Sequence, residues 1–420
     1  MFEAAETKAE RTPLSSFAID SAAGNSERYR PIYGGRVQLG DLENYRTDWK
    51  ERFCRTLPEF RAVAFSVILL MGSTATERVT FKMSVDRMTP YRLSLTMIMI
   101  TLSFFVYGAI ALYKLHFTNK ITQRMLEFPH RKLFTMALLD TTSFAGLILS
   151  AAAVTPTMTV ILLHISTPFV VLGSRMNFPS RVYSESQLRG VYLITLAVVV
   201  SVARHVMDII IGVNWRFALS SLIYMTAAAV HGLGTVMKEK AIIEWSQPLD
   251  IHYLSAWLFF YQIVSCALMC PLIYLLQGIS DGWSGPSFPF EAMVENIHDG
   301  FRCFLGQGPP LESQYDVSDC LCAYSFVPVM LYVLSNIVVL ECIDGVLQNG
   351  NRVLGRAMAA AVLFAFVALG VYDRKTDEDH SYDRVIGSIG LADFISITLL
   401  LLGINAHHSD QQHADEHPTS

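Results

Sequence analysis

Long apolar runs alternate with short polar segments over most of the chain. A helix rises 1.5 Å per residue, so about 20 apolar residues cross the roughly 30 Å of bilayer hydrocarbon. Thr155-Pro156 and "LQNGNR" (Leu347–Arg352) are natural breaks between neighbouring runs. We therefore predict an all-α integral membrane protein with ten transmembrane helices, at 60–77, 92–113, 133–153, 157–175, 190–213, 217–237, 253–277, 325–343, 353–371 and 385–404.

Composition supports a membrane protein, because only 16% of the residues are charged, against about 25% in soluble domains. The polar ends predict a disordered cytosolic N-tail (1–59) and a cytosolic C-tail (405–420), which flank a ten-helix domain at 60–404. The bias of Lys and Arg among the loops places the N-terminus in the cytosol, and ten spans return the C-terminus there. This count assigns Arg78, Lys82 and Arg92 to the opposite, lumenal side.

Two segments suggest that the ten spans form two inverted five-helix repeats, 60–213 and 217–404. The first span ends in "TATERVTFK" (Thr74–Lys82) and the sixth in "LGTVMKEKA" (Leu233–Ala241). Both segments carry adjacent opposite charges and a nearby lysine.

The segment 278–324 is lumenal in this topology and holds three of the seven cysteines. Thiols pair in oxidising compartments, and Cys320 and Cys322 are too close in sequence to pair with each other comfortably. We expect Cys303 to bond one of these two; three free thiols, or a zinc site completed by His298, are the alternatives. Upstream, apolar residues at spacings of three and four predict an amphipathic lumenal helix, through Phe290, Met293, Val294, Ile297, Phe301 and Phe304.

Ionisable side chains inside the spans are candidate functional groups, because they are unfavourable in lipid. Asp140 and His164 each lie about 12 Å into their spans, so they are expected at similar depth and could face one cavity. Either is a proton-coupling candidate. The alternative is a structural polar pair that ties two helices together. Ser166, which precedes Pro168, predicts a kinked helix that lines the cavity.

Other polar residues have both functional and structural interpretations. Arg78, Gln262 and Asn336 are cavity candidates, whereas Arg78 could instead anchor the lumenal surface and Gln262 could bond neighbouring helices. Glu341 and Asp344 share a face at the end of span eight, as proton-coupling candidates or helix caps. No nucleotide-binding loop, catalytic serine signature or paired-cysteine metal motif occurs, so we expect no enzyme activity, no cofactor and no metal.

Several stretches resemble the chloroquine resistance transporter-like family of the drug/metabolite transporter superfamily. They are "LLDTTSFAGLILSA" (Leu138–Ala151), "VILLHISTPFVVL" (Val160–Leu172), "GLGTVMKEKAIIEWSQPLDIHYLSAWLFFYQIVSCALMCP" (Gly232–Pro271), "NIHDGFRCFLG" (Asn296–Gly306) and "DCLC" (Asp319–Cys322). The resemblance implies two inverted five-helix repeats around a central cavity that Arg78, Asp140, Ser166 and Gln262 line. Three loop cysteines stand where the family commonly has four, and the resemblance favours a Cys303–Cys322 bridge, with Cys320 as the alternative partner.

The resemblance also implies a function. It predicts a proton-coupled secondary transporter that exports basic amino acids, small peptides or basic drugs from a digestive-vacuole or lysosome-like organelle by alternating access. The expected partners are a small-molecule substrate, protons and the lipid bilayer, with no nucleic acid, and the expected state is a monomer. A plastid-membrane carrier of glutathione or sugar nucleotides is the alternative that Arg78, Arg352 and Arg356 favour. A receptor or scaffold that transports nothing is the alternative from another class.

Overall fold

The computed structural model describes residues 64–118, 121, 123–179, 181–210, 215–245, 250–280, 292–307, 322–347, 351–379 and 391–408. These residues are helical or lie in short turns, and none of them forms a strand. Ten helices coincide with the ten predicted spans; they are α1 (64–87), α2 (Arg92–Tyr113), α3 (His130–Ala151), α4 (Pro156–Asn177), α5 (Glu185–Ile210), α6 (Trp215–Glu244), α7 (Ile251–Ser280), α8 (Phe326–Leu347), α9 (Asn351–Asp379) and α10 (Leu391–His407).

Eight helices of the described residues, α2 to α9, are long and apolar enough to cross a membrane. The other two differ in kind: α1 carries Glu77, Arg78 and Lys82 along its length, and α10 is a shorter apolar helix. The prediction of an all-helical, multi-pass membrane protein is confirmed. The predicted tails lie mostly outside the described residues, although α10 extends three residues into the predicted C-tail, to His407.

Three predicted helix ends were too early by seven residues or more, and all three errors concern charged residues. The helix α1 continues to residue 87 rather than 77, α6 to Glu244 rather than 237, and α9 to Asp379 rather than 371. Lys82 and Lys238 therefore lie within helices instead of in loops. Their ammonium groups have polar partners inside the bundle, so the helices need not end where the charges begin.

Two cations that were assigned to the lumenal side are buried at one end of the bundle. Arg92 is 1% exposed and donates a hydrogen bond to the Leu149 carbonyl oxygen (2.7 Å). Lys82 is 3% exposed and donates to the carbonyl oxygen of Ala151 (2.7 Å). Both groups satisfy carbonyls at the C-terminal end of α3, where the helix dipole favours positive charge. They are helix caps rather than exposed loop charges.

The helices pack in a consistent set of pairs. The helix α2 packs on α7, α5 on α10, α3 on α6 and α7, and α4 on α6 and α9. The helix α1 lies against α8 and α9, because Leu70 shares a buried cluster with Val339, Cys342 and Ala357.

The predicted amphipathic helix is present at Met293–Phe304 and is held against α2. Gly300 allows the close approach, since a Cβ there would lie 2.3 Å from Ser94 Oγ. Ser94 donates a hydrogen bond to the Ile297 carbonyl oxygen (3.3 Å). Part of the apolar stripe faces away from the bundle, because Val294 is 70% exposed.

The structure contains a Cys303–Cys322 disulfide, which is the pairing that the family resemblance favoured. Cys320 lies outside the described residues. The disulfide joins the end of the short helix to the segment before α8, and Arg87 of α1 donates to the neighbouring Ala323 carbonyl oxygen (2.7 Å).

Candidate functional site

Asp140 lies where α3, α6 and α7 meet. Its Oδ2 atom is 2.6 Å from the Lys238 ammonium and accepts a hydrogen bond from Gln262 Nε2 at 3.2 Å. The residue is 8% exposed, and its Oδ1 atom is buried with no hydrogen-bond partner among the described residues. A buried carboxylate that loses its cationic partner is destabilised by several kcal/mol. Burial of Asp140 is therefore favourable only when its carboxylate is protonated or is paired with Lys238 or another cation.

Small residues bring α3 and α6 close enough for this arrangement. A Cβ at Gly234 would lie 3.4 Å from Asp140 Oδ1, and one at Gly146 would lie 2.8 Å from the Ala227 Cβ. Small residues at membrane helix interfaces permit such close backbone approach. The spacing of α3 and α6 thus places the carboxylate beside the ammonium.

A second polar cluster surrounds Arg78. Its guanidinium lies 3.7 Å from the Glu77 carboxylate and within electrostatic range of Tyr224 of α6 and Tyr332 of α8. His164 of α4 also interacts electrostatically with Arg78. Although groups from four helices surround Arg78, its side chain is 32% exposed.

One face of α6 connects the two clusters. Tyr224, His231 and Lys238 recur every seven residues, close to two helical turns, so they share a face. His231 is exposed and interacts electrostatically with Lys238, Asp140 and Arg78. The clusters are therefore parts of one polar surface inside the bundle.

The predicted kink in α4 is present between Leu163 and Ser166. Pro168 has no N–H group to donate to the His164 carbonyl, which instead accepts from Thr167 N at 3.1 Å. The break leaves His164 between the two halves of α4. The helix α6 packs against this break, since a Cβ at Gly232 would lie 2.4 Å from the Ser166 carbonyl oxygen.

The sequence candidates are only partly brought together. Asp140 and Gln262 bond to each other, whereas no hydrogen bond or ion pair within the described ranges joins Asp140 to His164. Asn336 is half-buried on α8, and its amide makes no hydrogen bond with the described residues. The side chains of Asp344 and Arg352 lie outside the described residues, and Arg356 is exposed.

Glu341 belongs to a separate network at one end of the bundle. Its Oε1 atom is 2.6 Å from His252 Nε2, and His252 Nδ1 is 2.7 Å from the Lys114 ammonium. Asp250 accepts hydrogen bonds from the backbone N–H groups of His252 and Tyr253, so it caps α7. Burial opposes ionisation of Asp250, but the Lys114 ammonium and the two N–H groups outweigh it and lower its pKa.

Sequence reasoning missed Glu77, Tyr224, His231, Lys238 and Tyr332 as members of the site. A signal was present for two of them, because the segments compared as possible repeats contain Glu77 and Lys238. Ending α6 at 237 moved Lys238 into a loop, and ending α1 at 77 left Glu77 at a helix terminus. Within the described residues, no group of three or more His, Cys, Asp or Glu side chains is arranged to hold a metal ion.

These features define a class of protein. It is a multi-helix membrane protein with a polar surface inside its bundle, built on broken and glycine-bearing helices. The chain matches the chloroquine-resistance transporter-like (CRT-like) family over residues 63–365. The protein belongs to that family. The match includes α1 to α8 and much of α9, and it contains Asp140, Lys238 and Arg78.

Individual relatives agree with this assignment at low identity. The chain is similar to the chloroquine resistance transporter of Toxoplasma gondii, with 26% identity over 261 residues, 62% of this chain and 28% of the relative. It resembles Crt homolog 1 of Dictyostelium discoideum, with 24% identity over 57% of this chain and 49% of the relative. It also resembles Protein CLT3, chloroplastic, of Arabidopsis thaliana, with 26% identity over 55% of this chain and 50% of the relative. The matches cover half or less of each of these relatives.

Proposed function

We propose that the protein is a secondary transporter that exports small polar or cationic organic solutes, such as basic amino acids, small peptides and basic drugs, from an acidic organelle. Transport is coupled to protons and proceeds by alternating access. The observation that carries this proposal is the buried Asp140 carboxylate, held by Lys238 and Gln262 from two other helices. A solute ammonium group or a proton can replace Lys238 at this carboxylate, and such an exchange links solute binding to protonation.

The packing of the helices supports the two inverted repeats that alternating access requires. In such a repeat, α1 to α5 correspond in order to α6 to α10. When each helix is exchanged for its counterpart, the α2–α7 contact and the α5–α10 contact are each unchanged. The exchange also maps the contact of α3 with α7 onto that of α8 with α2, and both contacts occur. The pairing of α6 with α3 and α4 corresponds to that of α1 with α8 and α9.

A second candidate is a plastid-type carrier of an anionic thiol peptide, such as glutathione, or of a sugar nucleotide. The observation that favours it is the Arg78 guanidinium of the same polar surface, whose side chain is 32% exposed. Arginine presents a guanidinium fork suited to carboxylate and phosphate groups. The name of the chloroplastic relative is consistent with this candidate.

Uptake into proteoliposomes tests both candidates. The purified full-length chain is reconstituted, a pH gradient and a membrane potential are imposed, and labelled arginine, a tripeptide, glutathione, a sugar nucleotide and a basic drug are compared. Saturable, gradient-driven uptake of the cationic solutes supports the first candidate. Uptake of glutathione or the sugar nucleotide alone supports the second. If correctly folded protein moves none of them, the result favours a receptor or scaffold.

A further inference from the structure

Lys82 fastens α1 across one end of the bundle. Its ammonium donates to the carbonyl oxygens of Ala151 (2.7 Å) and Val154 (3.1 Å) at the turn between α3 and α4. It also lies 2.9 Å from Asp86 Oδ1, while Asp86 Oδ2 accepts a hydrogen bond from the Tyr372 hydroxyl of α9 (3.2 Å). One lysine and its neighbouring aspartate thus connect α1, the α3–α4 turn and α9.

Apolar side chains close the bundle beside these polar contacts. Phe81 and Val85 of α1 belong to the same buried cluster as Met158 and Ile161 of α4. Phe81 is 7% exposed and Val85 is fully buried. Buried apolar residues of α1 and α4 therefore accompany the Lys82 contacts at this end of the bundle.

At the opposite end, the described bonds of the charged residues of α6 run to α3, to α4 and to the segment that follows α4. Lys238 pairs with Asp140, and Lys132 at the start of α3 pairs with Glu244. The other two contacts are Arg181 with Glu239 (2.7 Å) and Lys240 with Asn177 Oδ1 (3.1 Å). Among the described residues, no hydrogen bond or ion pair links this end of α6 to α8 or α9.

Lys82 and Lys238 both lie within the last two turns of corresponding helices. Lys82 lies five residues before the end of α1 at 87, and Lys238 lies six residues before the end of α6 at Glu244. The helix α1 rests on α8 and α9 just as α6 rests on α3 and α4. By this correspondence, the counterpart of the α3–α4 turn, which Lys82 caps, is the C-terminal end of α8 (Phe326–Leu347).

We propose that Lys82 and Lys238 are paired gating residues of the transporter. Lys82 closes one end in this structure, and Lys238 closes the other by leaving Asp140 for the last carbonyl oxygens of α8. This inference rests on the alternating access of the proposed function and adds the residues that perform it. The last carbonyls of a helix lack partners within the helix and attract cations, so the end of α8 offers Lys238 the same kind of site that Lys82 occupies.

The exchange of Lys238 accounts for coupling. Once Lys238 leaves, the Asp140 carboxylate is a buried charge without a cation, which is strongly unfavourable. A proton or a solute ammonium must therefore occupy Asp140 before the Lys238 end can close. While Asp140 is ionised and binds neither a proton nor a solute, Lys238 stays paired with it and that end stays open. Conformational cycles without a bound proton or solute are therefore suppressed.

Distances between paired spin labels in the full chain test this mechanism without relying on transport. The free cysteines are replaced by serine and the Cys303–Cys322 bridge is kept. Labels at Met176 and Leu340, which are 76% and 38% exposed, report on the Lys238 end. Labels at Ala153 and Val371 report on the Lys82 end. Asp140→Asn mimics the neutral carboxyl group, and Lys238→Met removes the ammonium.

We expect Asp140→Asn to shift the Met176–Leu340 distances toward a shorter, closed population, and Asp140→Asn with Lys238→Met to abolish that shift. Lys82→Met is expected to lengthen the Ala153–Val371 distances, and Lys82→Arg is expected to restore most of the closed population. Lys240→Met is the matched control at the same end of α6 and should leave both pairs unchanged.

Closure that occurs equally with and without Lys238 would overturn the proposed exchange. The same conclusion follows if Asp140→Asn leaves the Met176–Leu340 distances unchanged in protein whose Tm is that of the wild type. Because the labels report on conformation, these outcomes are separate from a failure to find the transported solute. Opening and closing without uptake of any tested solute would leave the gate in place and count against the proposed substrates.

Discussion

The carboxylate of Asp140 and the ammonium of Lys238 form a 2.6 Å ion pair between α3 and α6, within the bundle. The side chain of Lys238 is 27% exposed, whereas that of Asp140 is 9% exposed. The lysine is therefore the more accessible partner of the pair. In the proposed exchange, Asp140 is the fixed site and Lys238 is the group that leaves.

Replacing Asp140 with Asn should abolish coupling to the pH gradient. We expect gradient-driven uptake to fall by roughly tenfold or more, equivalent to about 1.4 kcal/mol of lost stabilisation, because the amide binds no proton and attracts no ammonium. Uptake of labelled arginine into proteoliposomes measures the effect. Glu239→Gln is the matched control, since Glu239 pairs with Arg181 outside the polar surface. An Asp140→Asn variant with wild-type uptake would remove this residue from the mechanism.

Loss of the Cys303–Cys322 bridge should destabilise the fold. The two cysteines are 19 residues apart, and closing a loop of this size stabilises a protein by about 3 kcal/mol. We expect Cys303→Ser and Cys322→Ser to lower the Tm by similar amounts, and the double variant to lower it no further. Thermal unfolding in detergent, with and without reductant, provides the measurement. A wild-type Tm that is the same with and without reductant would show that the bridge contributes little to stability.

Gly232→Ala should force α4 and α6 apart. The new Cβ would lie 2.4 Å from the backbone oxygen of Ser166, and backbone cannot move aside as a side chain can. We expect a destabilisation of about 1–3 kcal/mol, measured as a lower Tm. Gly72→Ala is the matched control, because nothing lies within 4 Å of a Cβ at that position. Equal Tm values for the two variants would contradict the close contact at Ser166.

The end of α10 should contribute acid sensitivity through His408. Burial, with a smaller effect from His407, lowers the pKa of His408 from its usual 6.5 to about 4. The unfolded chain therefore takes up a proton between about pH 6.5 and pH 4 that the folded protein does not bind, so stability falls as the pH drops through this window. We expect the decline in Tm from neutral to acidic pH to be shallower in His408→Gln. His298→Gln, at a side chain that is 68% exposed, should retain the wild-type slope.

Hydrophobic patterning was sufficient to find the helices, since each of the ten predicted spans coincides with a helix. It failed at the ends of α1 and α6, where charged residues read as loops but bond inside the bundle. Lys82 illustrates the limit: its partners are the carbonyls of Ala151 and Val154, about 70 residues away, and one-dimensional spacing carries no information about such contacts. The same limit hid the Lys238 partner of Asp140, although Asp140 itself was identified.

Depth arguments were also only partly informative. Asp140 and His164 were expected at similar heights, yet height does not fix the face of a helix. The structure directs Asp140 to Lys238 and Gln262, whereas His164 interacts with Arg78. His231 of α6 interacts electrostatically with both Asp140 and Arg78. Nothing in its local sequence distinguishes it from an ordinary helix residue.

The most direct test of the account is the movement of protons that accompanies solute. Proteoliposomes holding the purified chain and a trapped pH-sensitive dye are exposed to a step in arginine concentration, with wild type beside Asp140→Asn and Glu239→Gln. The account predicts a saturable, arginine-dependent pH change for wild type and Glu239→Gln, and none for Asp140→Asn. Arginine uptake without any proton movement, or equal proton movement in Asp140→Asn, would contradict it.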